Sequence, residues 1–116
     1  MPPRRGERKG SREERVEDAL RPCRTLGYDR DALALHMMEK EMFALAEAQL
    51  RRAIWLNPYE PAFKAHLAWC LYRLNKLAEA LECARQALAH EETPETKDLL
   101  TLIQRGLDEA TERTAP

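Results

Sequence analysis

Two side chains with metal-binding chemistry stand four positions apart within residues 61–75, His66 and Cys70. In a helix this spacing places an imidazole and a thiol on one face, where both could ligate a metal ion. Two ligands do not make a site, and only His36 and His90 could add an imidazole. We therefore expect a packed cysteine beside a partly exposed histidine, with no metal and no cofactor.

Catalytic motifs are absent from the sequence. Ser11 is the only serine, the four glycines form no phosphate-cradling loop, and no motif pairs a cysteine with a general base. Adjacent carboxylates such as Glu91 and Glu92 are typical of solvated helix ends. The sequence therefore predicts a protein that is not an enzyme.

The composition favours a single small helical domain. Ala, Leu, Glu, Arg and Lys dominate the 116 residues, and strand-like alternation is absent. The three cysteines have no CxxC spacing, so neither a disulfide framework nor a zinc ribbon is indicated. No apolar run is long enough for a membrane span. An all-α, cytoplasmic protein is expected.

The charge is unevenly distributed. Residues 1–15 contain six Lys or Arg and three Glu, although the whole chain has a net charge of −1. This segment lacks large apolar residues after Met1 and is predicted to be a disordered, solubilising tail. Contact of the tail with nucleic acid or an anionic surface is a lesser alternative, and we expect neither a nucleic acid nor a membrane partner.

Helix start and stop signals divide the rest of the chain. Residues 16–27 carry a short amphipathic pattern before Pro22 and Gly27, which predicts a short N-terminal helix or linker. Asp29 or Asp31 is expected to cap the next helix, which would extend to about Lys40. The helices that follow are predicted at 43–56, at 61–75 from Pro61 to a left-handed Asn75, at 77–90, and at 94–113 behind a Thr93 cap.

Residues 61–75 are apolar on two separate arcs of the predicted helix. One arc contains Phe63, Leu67, Cys70, Leu71 and Leu74, and the other contains Ala62, Ala65, Ala68, Trp69 and Tyr72. A helix that is apolar almost all round must be covered on two sides. The rest of the chain has to supply at least one of these covers, and the other side is left for a partner.

The chain repeats itself at an offset of 34 residues. Identities occur at Leu33/Leu67, Ala34/Ala68, Ala44/Ala78, Ala46/Ala80, Arg51/Arg85 and Ala53/Ala87. A repeat of this length with two helices is typical of a helical-hairpin solenoid, in which small residues allow close helix approach. At these residues and at Pro58 the chain resembles the tetratricopeptide repeat (TPR) family.

The resemblance implies a short right-handed solenoid over residues 28–113, with repeats at 28–60 and 61–93 and a capping helix at 94–113. The sequence departs from the family where Arg30 and Lys64 replace its early Trp, and where Glu41 and Asn75 replace its Gly. Two repeats are fewer than a stable array usually needs. Either residues 16–26 or a second copy of the chain is expected to cover the remaining apolar edge.

The resemblance also implies a concave groove lined by the first helix of each repeat. The Leu67 and Leu71 arc would then pack inside the array, and the Trp69 and Tyr72 arc would face the groove. The candidate groove residues are Leu35, Met38, Glu39, Ala65, His66, Trp69, Tyr72 and Arg73. Trp, Tyr and Arg dominate binding hot spots, so this surface suits an apolar peptide or helix. The alternative is that the chain's own N-terminal segment or last helix fills the groove.

Three functions are consistent with these observations. The first is a cytoplasmic adaptor or chaperone-like scaffold that binds a protein or peptide partner, though not through a carboxylate clamp, because Asp31, Leu35 and His66 occupy the corresponding positions. The second is a homo-oligomeric structural module, with Trp55 as a possible oligomer contact. The third is the tail-driven contact with nucleic acid or an anionic surface.

Overall fold

Five α-helices joined by short connections make up residues 23–114, the part of the chain that this computed structural model describes. Their bounds are α1 Tyr28–Glu39, α2 Phe43–Leu56, α3 Pro61–Arg73, α4 Leu77–His90 and α5 Pro94–Thr114. Residues 23–114 contain no β-strand, and none of their helices is both long and apolar enough to cross a membrane. The predicted all-α class is confirmed.

The first four helices form two hairpins that follow one plan. Helix α1 packs against α2, α3 packs against both α2 and α4, and α5 packs on α4. The bounds of α2 and α4 differ by the same 34 residues that separate the sequence identities. Helix α3 also contacts α1 and α5, so it lies at the centre of the fold.

Both hairpins turn in the same way, on a non-glycine residue with left-handed backbone. Glu41 has φ 59° and Asn75 has φ 63°. In each turn the next residue donates its backbone N–H to the carbonyl five positions earlier, Met42 to Met37 at 2.8 Å and Lys76 to Leu71 at 2.9 Å. This pattern is the Schellman motif, which satisfies carbonyls at the helix end. The predicted left-handed Asn75 is confirmed.

Alanine is the most frequent residue among the buried apolar positions of the described helices. Seven alanines are at most 1% exposed, namely Ala34, Ala46, Ala53, Ala68, Ala80, Ala84 and Ala87. A methyl side chain allows two helix backbones to approach closely, while larger fully buried residues such as Leu50, Leu71 and Ile103 fill the remaining space. The repeat therefore places small residues where the helices cross.

The central helix α3 buries the arc that was expected to pack. Phe63, Leu67, Cys70 and Leu71 are all buried. Ala68 is also fully buried, although its helical position grouped it with the Trp69 arc. The burial of Ala68 fits the small residues expected at helix contacts in the 34-residue repeat. Its grouping with the partner-facing arc was wrong, because a residue between the two arcs reaches the core when the neighbouring helix approaches closely.

Helix α1 begins at a glycine instead of an aspartate cap. The residue before the helix is Gly27, with φ 92°, and no side chain caps the helix. A Cβ at Gly27 would lie 2.8 Å from the Phe63 ring, so only glycine fits. The predicted capping role of Asp29 or Asp31 was wrong, and both residues instead lie in the first turn, where negative charge favours the helix dipole.

Residues 23–27 are held against the corner between α2 and α3. The backbone N–H of Cys23 donates to the Leu56 carbonyl at 3.1 Å, and the amide of Asn57 donates to the Leu26 carbonyl at 3.1 Å. Asn57 is 1% exposed and also accepts from the Tyr59 backbone N–H, so its buried amide is satisfied. Residues 23–27 form no helix, whereas residues 16–22 and the predicted tail at 1–15 lie outside the described residues.

A partly buried carboxylate connects the two hairpins. Glu47 on α2 accepts from Arg51 at 2.8 Å and from Lys76 at 2.9 Å, and Arg51 also binds Glu79 on α4 at 2.9 Å. Burial acts to raise the pKa of Glu47, but the hydrogen bonds from Arg51 and Lys76 outweigh it and lower this pKa below its usual value. The network links α2 to the start of α4 at the protein surface.

The alanine contacts can be tested with two substitutions on α2. Ala46→Leu should lower the free energy of unfolding by about 1–3 kcal/mol, because extra methyl groups cannot enter a closely packed crossing. Ala44→Leu is the matched control, since Ala44 is exposed on the same helix and should change stability by less than about 0.5 kcal/mol. Urea unfolding followed by circular dichroism measures both. Equal stability of the two variants would contradict the close-approach interpretation.

The left-handed turn can be tested at Glu41. Glu41→Gly should raise the free energy of unfolding by about 0.5–1 kcal/mol, because glycine removes a left-handed strain of about 1–2 kcal/mol and adds a smaller entropic cost. Glu41→Ala is the control, since it keeps the Cβ and loses only the 3.8 Å contact with Arg73. Thermal and urea unfolding compare them. A glycine variant no more stable than the alanine variant would argue against strain.

Candidate functional site

An open cleft of about 590 Å³ lies between α3 and α5. The loop that follows α4 closes one end of it. The apolar lining residues are Pro61, Ala62, Ala65, Trp69, Leu99 and Leu102. The polar lining residues are His66, Glu91, Thr93, Glu95, Thr96 and Asp98. Clefts of this size with mostly apolar walls are typical binding sites.

Glu60 sets the direction of α3, which forms one wall. Its carboxylate accepts from the backbone N–H of Ala62 at 3.1 Å, and Pro61 occupies the first helical position, as predicted. The Tyr28 hydroxyl donates to the same carboxylate at 2.7 Å, which raises the pKa of Tyr28. The Tyr28 ring also packs edge-on against Phe63 at 5.1 Å. The start of α3 is thus fixed to the start of α1.

Helix α5 forms the opposite wall. The Thr93 hydroxyl accepts from the Thr96 backbone N–H at 3.2 Å, which confirms the predicted cap. Leu99 and Ile103 are buried beneath the helix, whereas Leu102 is 36% exposed on the cleft side. The amphipathic pattern therefore anchors α5 through one face and presents Leu102 from another.

Trp69 is the largest side chain in the cleft. It is 37% exposed, and its ring lies 5.6 Å from that of Tyr72, with 31° between the ring planes. The small neighbours Ala62 and Ala65 leave one side of the indole accessible. An exposed indole bordered by small residues is suited to contact an apolar group.

His66 connects the cleft to α1. Its Nδ1 lies 2.6 Å from Oδ1 of Asp31, and both side chains are partly buried. This contact crosses between the first helices of the two hairpins and orients the imidazole at the cleft edge. Asp31 thus positions a site residue.

Cys70 does not pair with His66 in a metal site. Its thiol donates to the Phe43 carbonyl at 2.9 Å, and burial raises the pKa of Cys70 to about 11. Within residues 23–114 no group of three or more His, Cys, Asp or Glu side chains could hold a metal ion. In this structure Cys70 is a packed core residue.

The predicted groove residues are divided among three places. Ala65, His66 and Trp69 line the cleft, whereas Tyr72 and Arg73 line a second recess farther along α3 and α5. Arg73 also lies 4.9 Å over the Phe43 ring. The α1 residues Leu35, Met38 and Glu39 line neither space: Leu35 and Glu39 are exposed, and Met38 packs partly buried against the core. Trp55 is half-buried on α2, under the guanidinium of Arg52 at 4.4 Å.

Sequence reasoning assigned no site residue to α5. Leu99 and Leu102 supply its apolar part of the cleft, and Glu91, Glu95 and Asp98 supply carboxylates. The one available signal was the pair Leu102 and Ile103, of which only one can face the core at helical spacing. That pattern indicates an outward-facing leucine but not what it faces.

The side chains that line the cleft indicate what kind of molecule it can bind. Comparisons of the sequence with protein-family models, curated proteins and solved structures found no match. The informative features are an apolar floor, an accessible indole and a partly acidic border. These features fit noncovalent binding of a partly apolar molecule.

The Asp31–His66 contact predicts unequal effects of two aspartate substitutions. Asp31→Ala should lower the free energy of unfolding by about 1–2 kcal/mol, because a partly buried imidazole loses its partner. Asp29→Ala is the control: it removes a first-turn carboxylate from the same helix and should cost about 0.5 kcal/mol or less. Urea unfolding at neutral pH separates them, and equal losses would mean that only the helix dipole matters.

Proposed function

We propose that this chain is a protein–protein interaction scaffold of the TPR type, which binds an apolar peptide or helix in the cleft between α3 and α5. The proposal depends on Trp69, whose side chain is accessible to solvent in an apolar cleft of about 590 Å³. Tryptophan is enriched among residues that dominate binding energy. Non-enzymatic binding is thus the activity that the cleft supports best.

The length of the cleft suits a short helical segment. Its lining on α3 extends from Pro61 to Trp69, which is about 12 Å at 1.5 Å per residue. Two turns of a partner helix cover nearly the same distance and present anchors at positions i, i+3, i+4 and i+7. Leu102 on the opposite wall would contact the same anchors.

We also propose that the chain belongs to the TPR family and is located in the cytoplasm. Two hairpins related by 34 residues and followed by a further helix support a TPR-like array with a capping helix. A cytoplasmic location is supported by the free thiols of Cys23, Cys70 and Cys83. In that setting the scaffold would act as an adaptor or chaperone-like module.

Self-assembly is the second candidate function. Leu33 on α1 and Leu45 on α2 are 44% and 51% exposed, so the first hairpin presents apolar side chains outward. Helical-hairpin arrays can bury such an edge against another hairpin. Sedimentation over a concentration series tests this function, since a monomer at high micromolar concentration would exclude obligate assembly.

Binding can be tested with a designed peptide. The probe is a 16-residue amphipathic helix with leucines at i, i+3, i+4 and i+7 and glutamine on its polar face, here named the glutamine peptide. Trp69→Ala should weaken its binding by about 2 kcal/mol or more, which is roughly 30-fold in Kd, because the main apolar contact is lost. Isothermal titration calorimetry measures the affinity.

Two further variants control this experiment. Trp55→Ala removes the other tryptophan, outside the cleft, and should leave peptide affinity unchanged. Leu102→Gln changes the opposite wall and should weaken binding even if Trp69→Ala impairs folding. Circular dichroism establishes that each variant is folded. Absence of binding by the wild-type chain, or equal binding by all variants, would overturn the proposal.

A further inference from the structure

Acidic side chains border the cleft between α3 and α5. Glu91, Glu95 and Asp98 line it, and none of them forms an ion pair with any residue in 23–114. No Lys or Arg among residues 23–114 lines the cleft, and the nearby Lys97 instead pairs with Glu92 at 2.8 Å. The border therefore carries three carboxylates without a cationic partner from the described chain.

The dipole of α5 does not cancel this charge. A helix N-terminus carries the equivalent of about half a positive charge, located in its first turn. At α5 one backbone donor of that turn, the N–H of Thr96, is already satisfied by the Thr93 hydroxyl. The combined negative charge of the three carboxylates is several times larger than the partial positive charge of the helix dipole. This end of the cleft therefore has a net negative potential.

The negative potential is confined to one end of the α3–α5 groove. The recess at the other end is lined by Arg73 and Arg113 together with Glu109, so cations predominate there. An apolar partner with an acidic polar face would meet repulsion beside Trp69. A partner with cations at this position would meet carboxylates that no cation among residues 23–114 pairs with.

We infer that the partner is a basic amphipathic helix, whose apolar anchors contact Trp69 and Leu102 while its lysines or arginines meet Glu91, Glu95 and Asp98. This inference rests on the proposed function of the cleft and specifies its ligand. Complementary charge at an interface border accelerates association and excludes partners of the same sign.

Three peptides that share one apolar face test the inference. They are the glutamine peptide, a lysine peptide and a glutamate peptide, which differ only in their polar residues. The lysine peptide should bind the full chain about tenfold more tightly than the glutamine peptide, since three exposed charge pairs each contribute a fraction of a kcal/mol. The glutamate peptide should bind more weakly than both.

Salt dependence provides a second readout. Raising NaCl from 0.05 to 0.5 M should remove most of the lysine peptide's advantage, because exposed charges are screened over a few ångströms at high salt. The affinity of the glutamine peptide should hardly change. The two readouts together separate charge recognition from apolar contact.

Two matched double variants of α5 test whether its cleft carboxylates cause the preference for the lysine peptide. Glu95→Gln combined with Asp98→Asn should reduce the lysine peptide's advantage to about threefold or less and leave the glutamine peptide unaffected. Asp108→Asn combined with Glu112→Gln makes the same net change on the same helix outside the cleft and should leave both affinities unchanged. Thermal unfolding of both double variants controls for helix stability.

Each outcome is decisive. If the glutamine peptide binds through Trp69 but lysine and glutamate peptides bind equally, the charge inference fails and the proposed function stands. If no peptide binds, both the charge inference and the proposed function fail.

Two further outcomes would identify a different occupant of the cleft. If the lysine peptide gains affinity only after the six Lys and Arg of residues 1–15 are replaced by Gln, the chain's own basic segment is the occupant. If peptide binding competes with self-association, the occupant is a second copy. Either of these last two results also overturns the inference.

Discussion

Close approach of helices at alanine side chains is the constraint on which the other features depend. Ala46 and Ala53 are fully buried against the neighbouring helices, and their methyl side chains allow a close approach that limits where those helices can lie. Ala68 and Ala80 have the same role in the second hairpin. Helix α3 is held on both sides in this way, and the position of Trp69 follows from its placement.

Small residues on α3 have two different consequences. The fully buried Ala68 lets a neighbouring helix approach, whereas the half-buried Ala62 and Ala65 leave space that no described side chain fills. The cleft is therefore produced by the same residue type that closes the core. Burial of the Phe63 and Leu71 face stabilises the helix, so the opposite face can carry an exposed indole without loss of the fold.

Features determined within a few residues could be predicted from the sequence. The Thr93 cap, the left-handed Asn75 and the bounds of α2 and α4 depend on neighbouring residues, and all are present in the structure. The start of α1 could not be predicted, because Gly27 is required by a distant Phe63 ring. The same holds for the cleft, since the position of Leu102 relative to Trp69 depends on the angle at which α5 crosses α3.

The cleft lies between the central helix α3 and helix α5. A molecule bound in the cleft therefore affects how firmly α5 is held against the rest of the protein. Helix α5 packs mainly on α4 and contacts α3 less extensively, and most of its residues beyond Leu107 are exposed. A helix that packs mainly on one neighbour and has an exposed end is where local unfolding costs least free energy. Any molecule that fills the cleft contacts α3 and α5 together and opposes detachment of α5. Slower amide hydrogen exchange in α5 would then accompany binding by thermodynamic linkage.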